Sequence, residues 1–308
     1  MFKFVENIEE AKCITHGAKF HADDVFCTVI LDKIVENNTL IRVLEVPEEY
    51  KIREDKIIYD IGWGELDHHQ KGGNGERENG IRYAAFGLIW KKYGFEYLRK
   101  IGINEEMINL VWKYLDTEFV QLVDSIDNGQ IDKGAIDIPL VTVSDVIDYY
   151  NPNWNETKSY NDGFAEAYII AEKIWNQKVN SVVCKLQAKN EVDKAIEKSN
   201  GGFVVLDKYM PYQDFVIKSE KPKAKEWLYA IYPSNRGGYG IQAIQKATNT
   251  FENRKPFPEA WGGLKDEDLQ KVSGIKTARF CHNARFLCTT ETLEDAIELA
   301  KKAVEFDK

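Results

Sequence analysis

The 308 residues include only eight prolines, three methionines, five histidines and five cysteines. The cysteines, Cys13, Cys27, Cys184, Cys281 and Cys288, are odd in number and form no Cys-x-x-Cys, which fits reduced thiols in a cytoplasm and argues against a disulfide framework. No apolar run approaches the roughly 18 residues of a membrane span, and the opening MFKFVENIEEAK has acids where a secretion signal needs an apolar stretch. The expectation is a soluble, unexported, cytoplasmic protein with no membrane partner. A basic excess is also missing: 41 Lys and Arg against 50 Asp and Glu leave a net charge of −9, which excludes coating of duplex DNA by a broad basic face but leaves room for a local nucleic-acid site. There is no internal repeat, low-complexity tract or long single-sign charge block. What is present, 44% hydrophobic and 12% aromatic residues with 30% charged, is the composition of a folded chain long enough for one large or two ordinary domains.

The first part alternates strand and helix. Cys13 to Thr15, Leu40 to Val46 and Lys56 to Ile61 read as strands, and Asp23 or Asp24 caps a helix running to Lys33, so a parallel sheet with crossovers is expected. Gly80 to Tyr93 and Glu105 to Gly129 are helical by period. The glycine-rich stretch Gln70 to Gly80 reads as a mobile loop, and a long helix runs from about Gly163 to Lys198 until Asn200-Gly201-Gly202 stops it. Beyond it, Phe203 to Leu206, Phe215 to Lys218, Trp227 to Tyr232 and Gly240 to Ile244 suggest strands of a smaller sheet, closed by a helix over Thr292 to Val304. The domain boundary is therefore placed near residue 200, giving 1–200 and 201–308.

Four of the five histidines stand beside aspartates at expected strand ends: His16, His21 with Asp23 and Asp24, and Asp67-His68-His69, a few residues after Asp60. The carboxyl ends of parallel strands converge on one crevice. Imidazole and carboxylate together suit Mn²⁺, Fe²⁺ or Zn²⁺ and, less well, Mg²⁺, and several aspartates suggest two ions sharing a bridging carboxylate, a device for hydrolysing phosphate esters. Val123 to Gly129 adds Asp124 and Asp127 on one face of a helix end; beside the other clusters, Asp124 is expected to ligate and Asp127 to support it.

HGAKFHADD, YDIG, DHHQ and VDSIDNG resemble the four metal motifs of the DHH phosphoesterase superfamily. More closely, the chain resembles the melanocyte-proliferating-gene family of metal-dependent hydrolases, which has a 3′–5′ RNA exonuclease among its members; PFPEAWGGLKDEDLQKVSGI and FCHNARF extend the likeness over nearly the whole chain. The resemblance implies an α/β fold, with a parallel-sheet, DHH-like amino-terminal domain and a smaller α+β carboxyl-terminal domain. It implies metal ligation by His16, His21, Asp23, Asp60 as the bridge, His68 and Asp124. It further implies that His69 orients a water or contacts phosphate, that Asp67 fixes a histidine tautomer, and that Asp24 or His69 relays a proton. The second domain would hold substrate through Arg236, Arg254 and His282. Leu287-Cys288-Thr289-Thr290 replaces a glycine-rich turn of close relatives, so a backbone phosphate cradle is not carried over. Trp63, Trp261 and Tyr239 are candidates for stacking on a base.

The expected activity is a metal-dependent phosphodiesterase, a 3′–5′ exonuclease on single-stranded RNA or short oligonucleotides using two Mn²⁺. The alternatives are a hydrolase of small phosphorylated compounds, such as pyrophosphate or a nucleotide, and a non-catalytic, metal-stabilised binding protein. Assembly into a homo-oligomer stays open.

Overall fold

A computed structural model gives the structure of the protein for residues 1–131, 139–199 and 201–306. Contacts divide the chain into two compact units, Met1–Val183 and Cys184–Lys308.

The first unit opens with β1 (Lys3–Phe4), β2 (Cys13–His16), α1 (Ala22–Ile34), β3 (Thr39–Val43), α2 (Glu48–Lys51) and β4 (Ile57–Ile58). The strands form an all-parallel sheet in the order β1-β3-β2-β4, with His16 at the carboxyl end of β2, opposite Val43. The expected α/β class is found. Helix α1 begins one residue after His21, not at an aspartate cap: Asp24, in the first turn, reaches back and accepts the His21 N–H at 3.0 Å. β4 is shorter than expected because the chain turns at Asp60, whose φ is +56°.

The Gly80 to Tyr93 helix starts only at Ala85, as α3 (Ala85–Lys100). The residues before it are tied into a hairpin rather than left as a loose loop: Arg77 N–H donates to Ile81 O, Tyr83 N–H to Gly75 O, and the Asn74 side-chain amide to the carbonyls of Glu65 and Asp67. Next come α4 (Glu105–Leu115), a π-turn over Asp116–Val120, α5 (Gln121–Asp127), α6 (Val143–Asp148) and the 39-residue α7 (Tyr160–Lys198), which from Cys184 onward belongs to the second unit. α5 stops at Asn128-Gly129, with Gly129 left-handed. Phe26, Phe86, Phe119 and Trp175 interlock as one aromatic cluster that holds α1, α3 and α7 together.

The second unit contains β5 (Phe203–Val205), α8 (Gln213–Lys218), α9 (Pro222–Glu226), β6 (Tyr229–Pro233), β7 (Tyr239–Ala243), α10 (Asp266–Ser273), β8 (Ala278–Cys281), β9 (Leu287–Thr290) and α11 (Leu293–Glu305). Its mixed sheet runs β5-β6-β7-β9-β8. Phe215 to Lys218, expected as strand, is helical: the apolar Phe215 and Val216 face a core with Trp227. Trp261 also belongs to a core, with Tyr229 and Phe257, so it is not available for stacking on a base. Of the expected Asn-Gly-Gly stop, Asn200 lies outside the described residues.

Candidate metal centre

The loop from His16 to His21 is fixed from outside. Gly17 lies against the Val43 carbonyl, where a Cβ would come within 3.4 Å; Arg42 donates to Ala18 O at 2.8 Å; and the Asn151 amide pairs with both the N–H and the carbonyl of Phe20. These anchors place His16 on one side of Asp60 and His21 on the α1 terminus. Neither Arg42 nor Asn151 is marked in the sequence, because each acts through a backbone group far along the chain.

Three sets of donors come together, each with its ligand atoms within 4.8 Å of one another: His16, Asp24 and Asp60; Asp60, His68 and His69; and His21, Asp23 and Asp127. His16 Nε2 lies 3.2 Å from both Asp24 Oδ2 and Asp60 Oδ2. The other ring nitrogen, Nδ1, donates to the Gly17 carbonyl at 3.1 Å, so Nε2 is the nitrogen that faces the two carboxylates. His68 Nε2 stands 3.2 Å from Asp127 Oδ2, 3.3 Å from Asp60 Oδ1 and 3.6 Å from Asp23 Oδ2.

The carboxylates are crowded and buried. His16 Nε2, Asp23 Oδ1, Asp24 Oδ2 and both oxygens of Asp60 are buried without a hydrogen-bond partner among the described residues. Orphaned acceptors of this kind are costly unless a cation satisfies them, and the donor set of imidazole and carboxylate matches a divalent transition ion. Electrostatics point the same way. Burial pushes the Asp23 carboxyl well up, with the charges of Asp60, Asp127 and Asp24 adding to it. Burial works against the charged form of His16, yet Asp24 and Asp60 outweigh it and raise the imidazole to about 11. Burial likewise opposes ionisation of Asp60, but His16 and His68 bring it down to about 2. The cluster demands positive charge.

Asp67 accepts the Trp63 N–H at 2.7 Å, and its other oxygen accepts both the backbone N–H and Nδ1–H of His69, the latter at 2.7 Å. His69 is thus held in one tautomer while its side chain is 53% exposed, on a cleft of about 420 Å³ that is also lined by Lys19, His21, His68 and Asp127. Trp63 is exposed.

Asp124 sits differently from its expected place. Its Oδ1 accepts the Gly87 N–H at 2.9 Å and its Oδ2 lies 2.8 Å from Arg77 Nη1; it is in none of the three donor sets among the described residues, whereas Asp127 and Asp24 are. The helical spacing puts both acids on one face, but only the tertiary partners decide which of them Arg77 takes. Arg77 itself lies in the glycine-rich stretch and carries no motif.

In the second unit, Arg254 donates to the carbonyls of Ala224, Lys225 and Trp227, tying the end of α9. Arg236 is exposed in the β6–β7 turn, and His282 Nδ1 accepts the Ala284 N–H with its ring against Phe286. Tyr239 packs against the core containing Trp261.

Over residues 12–304 the chain matches the family model MYG1_exonuc, described as "Uncharacterised protein family (UPF0160)". The chain belongs to this family. It is 26% identical to the MYG1 protein C694.04c of Schizosaccharomyces pombe, over 96% of this chain and 98% of that one, and 29% identical to the MYG1 protein C27H6.8 of Caenorhabditis elegans, over 94% of each. The MYG1 exonuclease of Homo sapiens is 26% identical over 93% of this chain and 84% of its own. A pGpG-specific phosphodiesterase from Vibrio cholrae superposes over 96% of this chain and 98% of that one at 14% identity and a TM-score of 0.33, too low to carry an argument. No helix among the described residues is long and apolar enough to cross a membrane.

Proposed function

We propose that this protein is a metal-dependent phosphoric ester hydrolase, an exonuclease that removes nucleotides from the 3′ end of single-stranded RNA or short oligonucleotides. The observation that carries the reading is the convergence of three imidazole–carboxylate sets around Asp60, with buried oxygens that lack partners. Relatives named exonuclease support the reaction class.

In this reading His16, Asp24 and Asp60 hold one divalent cation; His21, Asp23 and Asp127 hold the other, with His68 between Asp60 and Asp127. Asp24 and Asp127 thereby move into the ligand set and Asp124 leaves it. Bound Mn²⁺ would supply a Lewis acid and a water of lowered pKa, the needs of an in-line displacement at phosphorus. The chain's own residues do the rest. Asp60 joins the two halves of the centre. Asp67 holds His69 by Nδ1, which leaves Nε2 as the nitrogen that can orient a water or donate to a phosphate oxygen. The cleft of about 420 Å³ has the size of a terminal nucleotide rather than of a duplex. The same size also suits a small phosphorylated compound, which is the second reading. Arg236 and His282 are proposed to meet the rest of the substrate from the second unit, and residues 1–200 and 201–308 to act as catalytic and substrate-binding parts.

The test is Mn²⁺-dependent hydrolysis of a 5′-labelled RNA ladder beside dinucleotides and pyrophosphate, with His68→Ala as control. Stepwise shortening that the variant loses is expected; turnover of small phosphates alone moves the assignment to the second reading. Manganese-loaded protein that cleaves nothing, or a variant as active as the parent, removes it.

A further inference from the structure

Arg77 is a buried cation with its partners on two elements. Its Nη2 and Nε bind Asp116 at 2.7 and 3.1 Å, its Nη1 lies 2.8 Å from Asp124 Oδ2, and its guanidinium lies 4.2 Å above the Tyr83 ring. Asp116, in the π-turn, is held in turn by the Gln121 amide, whose oxygen accepts from Asn79. Behind Asp124 there is no room to retreat: a Cβ on Gly87 would come 1.9 Å from Asp124 Oδ2. The stretch that leads into the hairpin of Arg77 begins directly after His69, and Asn74 within it binds the Asp67 carbonyl. One side chain therefore connects the segment of His68 and His69 to the helix of Asp124 and Asp127.

We propose that Arg77 is a positioning residue that withdraws Asp124 from the ligand set, so that α5 offers Asp127 to the centre and the centre's charge is set for two divalent cations. The inference rests on the metal reading given above. Its arithmetic is simple. The three donor sets contain four carboxylates, Asp23, Asp24, Asp60 and Asp127, whose four negative charges balance two divalent ions. Asp124 as a fifth would leave an excess negative charge, and its pairing with Arg77, which also binds Asp116, keeps it out of the set. The Arg77–Asp124 contact is close but is not an aligned hydrogen bond, and neither Arg77 Nη1 nor Asp124 Oδ2 has another hydrogen-bond partner among the described residues. The Arg77–Asp124 pair is held by charge, and removing both partners leaves only Asp116, whose carboxylate the Gln121 amide still serves. Lysine, a point charge without the fork, cannot serve Asp116 and Asp124 together.

The experiment measures Mn²⁺ stoichiometry and affinity by equilibrium dialysis, and Mn²⁺ spin coupling by electron paramagnetic resonance, in the full-length protein and in Arg77→Met, Arg77→Lys, Asp124→Asn and the Arg77→Met/Asp124→Asn double variant. Asp124→Asn keeps both ions and the coupled signal, with affinity within about threefold of the parent. Arg77→Met and Arg77→Lys bind at least about tenfold more weakly, in the range found when groups behind a ligand are removed, and the double variant recovers the parent's stoichiometry. Loss of an ion in Asp124→Asn alone overturns the proposal, and that variant decides the matter even where Arg77→Met fails to fold. A double variant as impaired as Arg77→Met also overturns it, since Arg77 would then act through Asp116 and the hairpin and not through Asp124. A parent protein that binds no Mn²⁺ refutes the metal reading itself, a result distinct from either.

Discussion

Asp60 Oδ2 lies 3.2 Å from His16 Nε2, while Asp60 Oδ1 lies 3.3 Å from His68 Nε2. One carboxylate thus faces imidazoles from two separate segments, and neither of its oxygens has a hydrogen-bond partner among the described residues.

Replacing Asp60 by Asn keeps the shape and removes the charge that joins the two halves. Divalent-cation affinity should fall by more than about 100-fold, beyond what loss of an outer supporting group costs. Equilibrium dialysis with Mn²⁺ checks this, and unchanged affinity contradicts the shared role.

Asp67→Ala should separate binding from chemistry. It frees the His69 ring but leaves the His16–Asp24–Asp60 and His21–Asp23–Asp127 sets intact, so kcat is expected to drop about 10- to 100-fold with metal content unchanged. Loss of metal along with activity would place Asp67 in the ligand shell instead.

The metal-free protein should show a particular pH dependence. His16 is raised from 6.5 in the unfolded chain to about 11 in the fold, so its contribution to stability is complete below pH 6.5 and is lost as pH rises toward about 11. Urea melts in the presence of a chelator should weaken from pH 6.5 upward, and His16→Gln should flatten that slope. An equal slope in the variant shows that other groups cause it.

Gly87→Ala should destabilise the protein by about 1–3 kcal/mol through overpacking, despite the better helix propensity of alanine. The added methyl meets the Asp124 carboxylate and comes 2.8 Å from the Tyr83 ring. A thermal melt at or above that of the parent means the carboxylate moves aside at no cost.

Arg254→Met is expected to cost about 1–3 kcal/mol of stability, because three carbonyls near the end of α9 lose their donor. Substrate KM should stay the same once the protein is folded. A large KM change at unaltered stability would return Arg254 to the substrate contacts expected from the sequence.

The sequence was most legible where chemistry and local pattern coincide. β2 ends at His16, α1 follows His21, and the Asp-His-His run follows the turn after β4, so clustering of rare histidines near strand ends pointed to the candidate centre. It was least legible where a partner lies far along the chain. Asp124 and Asp127 share a helix face, and nothing local distinguishes the one that meets Arg77 from the one that meets His68. Phe215 to Lys218 misled for a related reason: a short apolar run suits strand or helix equally, and its packing beside Trp227 decides.

The left-handed backbone at Asp60, with φ of +56°, sets two kinds of selection against each other at one position. Folding alone would favour glycine there, tolerate asparagine and penalise any branched residue. The proposed ligation accepts none of these, since each lacks the negative charge. Aspartate is the residue that meets both demands, being charged, short and among the few side chains at ease in this conformation. Drift at this site is therefore confined more tightly than at His16 or His68, where only the chemistry constrains the choice, and a chain that abandons hydrolysis would be expected to reveal it first by a glycine or asparagine at position 60.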